Sequence, residues 1–161
     1  IAPLGARLRI YQGMELDLLR REGLGSDNVE LAAFRPAHAL HQDLMASVDA
    51  MYLPMSFAPE DRDNVELCFP SKLADYTVAG LPILVRGPAY STAAHWAGAY
   101  PGVAELVTTA EAAPLTAAAR RIITHKAHRH ALAKAALANG RELFSQRAVF
   151  QTFANALRSV R

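Results

Sequence analysis

The chain has little of what would classify it at a glance. A single cysteine, Cys68, among 161 residues rules out an internal disulfide framework, so a reducing, cytoplasmic setting is expected. No apolar run approaches the roughly 18–20 residues of a membrane span, and no signal-peptide pattern opens the sequence. The formal charge of +2 is too small to argue for a nucleic-acid partner, and there is no long basic run. Three chemical signatures are also missing: Gly-x-Gly-x-x-Gly, the Walker loop and the Gly-x-Ser-x-Gly elbow. Nothing reads as a self-contained catalytic set. The opening Ile1-Ala2-Pro3 lacks an initiator methionine, and the chain is expected to be a piece of a longer protein.

What is present suffices for a core. Hydrophobic residues make up 52% and charged residues 20%, a globular balance for a chain long enough to form one domain. Short apolar runs at 6–13, 29–34, 50–55, 82–85 and 102–108 read as strands. Helical spacing predicts helices at 14–21, 37–47, from Ser71 to about 79, and at 91–97. A long alanine-rich helix is expected over 115–138, ending at Asn139-Gly140, with a last helix over 141–160. The stretch 56–66, with Pro59 and five charged residues, reads as a polar loop. Strands alternating with helices call for a parallel sheet sandwiched by helices, a Rossmann-like α/β domain spanning 1–161.

One stretch stands apart: CFPSKLADYTVAGLPILV, residues 68–85. It has a Pro-Ser opening, an amphipathic helix, a glycine stop, a proline and an apolar strand. In open parallel sheets ligands sit outside the carboxyl ends of the strands, where this helix would begin. Ser71 is expected to cap it, and the N–H groups of Lys72 and Leu73 to face an anion. Lys72 adds a full positive charge. Asp75, about one turn beyond Ser71, is placed to accept hydrogen bonds from both hydroxyls of a ribose. The same residues also make a plain capped helix with a solvated Lys72 and Asp75, and spacing alone leaves both readings open.

The stretch resembles the donor-binding motif in the second domain of GT-B fold glycosyltransferases, of the retaining group 1 / family 4 type. Phe69, Pro70, Ser71, Lys72, Leu73, Asp75, Tyr76, Ala79, Gly80, Pro82 and Ile83 carry the resemblance, which is specific over about residues 66–86. It implies a nucleotide-sugar-binding domain of a hexosyltransferase-like enzyme, of the kind used in polysaccharide biosynthesis. Asp75 would hold the donor ribose, and Ser71, Lys72 and Leu73 would lie by the diphosphate. No cofactor or metal is implied. The partners implied are a nucleoside-diphosphate sugar and an amino-terminal acceptor domain of the same protein, without which the chain would transfer nothing. Peripheral membrane contact of the full-length protein is compatible with this reading. The family's ribose ligand is usually Glu, one methylene longer than Asp75. Its other acid, near the sugar, falls on Leu67, with Glu66 adjacent as a candidate sugar contact.

Further candidates follow other strand ends: Phe34 and His38, where relatives with this order of elements place base contacts, and Arg86, which could approach a phosphate or sugar. Each also reads as an ordinary turn or surface residue. His125, His128 and His130 cluster, but Lys126 and Arg129 are poor neighbours for a metal cation, and a solvated basic face is expected there. Phe144, Phe150 and Phe153 of the last helix are expected to pack toward the separate domain and to expose apolar surface without it. Two alternatives stand beside the donor domain: a non-catalytic interaction module, and half of a GT-B nucleotide-sugar epimerase.

Overall fold

The computed structural model describes residues 2–12, 16–21, 24 and 26–159, in two compact units, Ile1–Ser47 and Val48–Arg161. Both are α/β, and their strands pair in parallel.

In the first unit β1 (Leu8–Gln12) pairs with β2 (Val29–Ala33), with α1 (Leu16–Arg21) in the connection and α2 (Ala37–Ser47) following. These elements lie where the hydrophobic pattern placed them. Gly13 and Met14, read as a strand stop and a helix position, lie outside the described residues. Among the described residues this unit contributes nothing to the buried hydrophobic core. Polar bonds tie its helix to its strands. Tyr11 donates to Asp43 Oδ2 at 2.7 Å, and Arg9 Nη1 donates to Ser47 Oγ at 2.6 Å. The Tyr11 hydroxyl is the main reason that the Asp43 carboxyl titrates below its ordinary range.

The second unit runs β3 (Met51–Pro54), a 3₁₀ turn (Pro59–Asp61), α3 (Arg62–Leu67), α4 (Lys72–Val78), β4 (Ile83–Arg86) and α5 (Thr92–Ala99). It continues through β5 (Glu105–Val107), α6 (Ala112–Thr124), α7 (Lys126–Leu143) and α8 (Gln146–Ser159). The sheet order is β3-β4-β5. The central strand, β4, is covered on both faces, as parallel sheets require: Ile83, Leu84 and Val85 are all buried. Leu84 and Val107 pack against Ala118 and Ile122 of α6 and Leu132 of α7. Ser91 caps α5, its Oγ accepting from the Ala94 N–H at 3.1 Å. Trp96 of α5 donates its indole N–H to Asn139 of α7 at 2.9 Å in the interior.

The expected class and parallel pairing are present, but the strands form two small sheets, β1-β2 and β3-β4-β5, where one had been expected. Three local expectations fail. Residues 56–66 are not all loop: Pro59 opens a 3₁₀ turn and the acids Glu60, Asp61 and Asp63 sit in first turns, where the helix dipole favours them. The run 115–138 is not one helix, because His125 (φ −108°, ψ 90°) leaves helical geometry and separates α6 from α7. Gly140 does not stop α7, which continues to Leu143; it lets the helix pass against Thr77 of α4.

Candidate functional site

The chain leaves β3 at its carboxyl end and must return to the amino end of the parallel β4, and α4 makes that return. The start of α4 therefore lies at the carboxyl edge of the sheet, the edge where such folds bind ligands. Leu73 fastens this helix to the core with 0% exposure, a burial that stabilises by roughly 2 kcal/mol. At its other end Gly80 adopts φ +63°, the left-handed stop expected of it.

The entry to α4 differs from the expected cap. Ser71 is itself helical (φ −55°, ψ −32°), and its side chain accepts no capping bond. Pro70 and Ser71 form a tight first turn instead: the Leu73 N–H donates to the Pro70 carbonyl at 2.9 Å, and the Ala74 N–H to the Ser71 carbonyl at 3.1 Å. The Leu73 amide is thus already bonded and its side chain buried, so Leu73 serves the core and does not face an anion. The amides of Ser71 and Lys72 have no backbone partner among the described residues. The seven-residue α4 offers only a short dipole.

Ser71, Lys72 and Asp75 are all exposed. Ser71 and Asp75 stand four residues apart in helical backbone, so their side chains share one face about one turn apart. The neighbouring Tyr76 phenol is pushed above its ordinary range, first by burial and second by the Asp75 charge. The structure therefore brings together three of the residues read from the motif, as exposed polar groups at the carboxyl edge of the sheet.

Arg86 ends β4 at the same edge, but its guanidinium is engaged. Nη2 donates to the Ala110 carbonyl at 2.6 Å, and the group lies 5.0 Å from the Phe57 ring centroid. Its Nε is buried without a hydrogen-bond partner among the described residues. Glu66 is also committed, accepting from Arg62 Nε at 3.0 Å, while the same guanidinium covers the Tyr90 ring at 4.6 Å. Thr92 Oγ1 donates to the Cys68 carbonyl at 2.8 Å and ties α5 to the loop before α4. Phe57, Arg62 and Tyr90 escaped the sequence reading; the four-residue spacing of Arg62 and Glu66 was the available signal. Phe34, 74% exposed after β2, and His38, exposed in the first turn of α2, belong to the first unit.

His125, Lys126 and His130 are exposed, as a solvated face would have them, but His128 is not free. His128 Nε2 meets Glu105 Oε2 at 2.7 Å, and Arg121 binds Oε1 of the same carboxylate. Among the described residues no group of three His, Cys, Asp or Glu side chains is placed to hold a metal ion. Surface depressions occur along α8 and near Gly5 and Asn28, and neither is lined by Ser71, Lys72 or Asp75. No protein-family model matches the chain, and no curated protein matches it.

Proposed function

We propose that this chain is the donor-binding domain of a GT-B type glycosyltransferase, holding a nucleoside-diphosphate sugar for transfer to an acceptor bound by a separate domain. The observation that carries the reading is the joint exposure of Ser71, Lys72 and Asp75, the first and last on one face, where α4 begins at the carboxyl edge of the sheet. The eleven-residue resemblance around them supports it. In this reading the Ser71 and Lys72 amides and the Lys72 ammonium receive the diphosphate, and they stabilise the charge that develops as the nucleotide departs. Asp75 accepts hydrogen bonds from the ribose hydroxyls. With Lys72 as the counter-charge, the reading calls for no metal. Glu66 and Arg86 serve as supports of the loop and of the edge, not as sugar or phosphate contacts, because each already has a protein partner.

Calorimetric titration with UDP, GDP and ADP sugars tests this. Saturable binding of one of them is expected, weakened roughly 10- to 100-fold by Asp75→Ala, since hydrogen bonds to a charged acceptor are worth about 1.5–3 kcal/mol. Absence of binding at millimolar nucleotide sugar, or binding unchanged in Asp75→Ala, would refute the reading and leave the interaction module.

A further inference from the structure

The last helix has an apolar face that the second unit does not use. No residue of α8 is buried, and Val149, Phe150, Phe153 and Leu157 are exposed by 53%, 70%, 61% and 59%. At 3.6 residues per turn these four fall within about 100° of arc, a continuous stripe. Phe144, expected to extend this surface, does not: it follows α7 and packs its ring 5.6 Å from that of Phe69. Arg147 and Arg158 stand at the edge of the stripe, about 60–80° round from Phe150, and line one shallow depression with it. The helix contains no Asp or Glu.

The sequence segment that carries it is one-sided in charge. Residues 112–161 hold nine Lys and Arg against the single acid Glu142, a formal +8, whereas residues 1–111 hold eight against fourteen, a formal −6. Within α6 and α7, Arg120, Lys126 and Lys134 are exposed to solvent. A face combining phenylalanine, leucine and valine with flanking arginines, on a helix of low overall hydrophobicity, has the composition of a segment that lies in a membrane interface. The excess positive charge selects a negative one.

We infer that α8 docks on an anionic lipid surface. Its Phe150, Phe153 and Leu157 enter the headgroup and acyl boundary, and Arg147 and Arg158 engage lipid phosphates. The chain lies along the bilayer and does not cross it; no described helix is long and apolar enough to do so. The inference is independent of the proposed donor site, which lies at the start of α4.

Co-sedimentation of the full chain with phosphatidylcholine vesicles, with and without about a third of phosphatidylglycerol, tests it. Binding to the anionic vesicles is expected to exceed binding to the neutral ones at least tenfold and to fall as salt is raised. The double substitutions Arg147→Glu with Arg158→Glu, and Phe150→Ser with Phe153→Ser, should each weaken it tenfold or more. All four positions are exposed, so folding should survive, as circular dichroism would verify. Equal binding to both vesicle types, or binding undiminished by either pair, would overturn the inference. A dimer dissolved by the phenylalanine pair, without vesicle binding, would assign the face to a second copy. A monomer that ignores both vesicle types would assign it to a protein partner. Either result overturns the lipid assignment.

Discussion

Glu105 and Asp75 are carboxylates of the same three-stranded unit, and they are treated in opposite ways. Glu105, at the start of β5, is 8% exposed and has both oxygens occupied, one by Arg121 of α6 and one by His128 of α7. Three elements close on one acid, and its charge is consumed in holding them together. Asp75, at the start of α4, is open to solvent, with a lysine and a serine beside it and exposed like it. A buried charge without partners would be untenable, so the amino end of β5 has to be satisfied internally. The carboxyl edge is under no such constraint, and polar groups left open there are available to a ligand. The difference separates a structural carboxylate from a functional candidate more sharply than either sequence context does.

The largest effect should come from breaking this contrast at its buried side. Glu105→Ala strands His128 and the half-exposed Arg121, and a loss of about 2–4 kcal/mol is expected in urea unfolding. Asp75→Ala should stay within about 0.5 kcal/mol of the parent, because its exposed side chain makes no hydrogen bond or ion pair among the described residues. If Asp75→Ala destabilised as much as Glu105→Ala, the distinction between the two ends would fail.

A smaller effect probes how firmly α4 is held. A Cβ on Gly140 would stand 2.6 Å from Thr77 Cβ, so Gly140→Ala must push α7 off α4. A cost of about 1–3 kcal/mol is expected despite the better helix propensity of alanine. Gly98, in α5, has open space around it, and Gly98→Ala should instead stabilise by about 0.5–1 kcal/mol. Equal outcomes would mean that the α4–α7 contact is not tight.

The smallest effect concerns pH. The Tyr76 phenol is raised by burial and then by Asp75, so its contribution to stability is complete below the ordinary phenol value of about 10 and fades as pH rises through the folded-state value. Absorbance titration should show one tyrosine ionising late, and Asp75→Asn should bring it part of the way back. A Tyr76 that titrates normally would mean that α4 does not shelter it.

Much of this was legible in the sequence. Strands and the helix over 37–47 follow from runs and stripes of apolar residues, and Gly80 announced its left-handed stop because only glycine adopts it freely. Other features depended on distant partners. Nothing local tells that Gly140 faces Thr77, that Glu105 lies between Arg121 and His128, or that the helical run breaks at His125. The cap at Ser71 misled because Pro70 is equally able to open a turn, and its carbonyl took the Leu73 amide. Five charges over 56–66 suggested loop, although three of them are acids suited to first turns. The motif gave the exposed triad; long-range packing decided that Arg86 and Glu66 were already engaged.

The most direct test of the distinction between the two edges is amide chemical-shift mapping of the labelled chain during titration with a nucleoside diphosphate. The amides of Ser71, Lys72 and the first turn of α4 should move and saturate together, while those around Glu105, Arg121 and His128 stay still. Shifts confined to the Glu105 end, or none at millimolar nucleotide, would contradict the account.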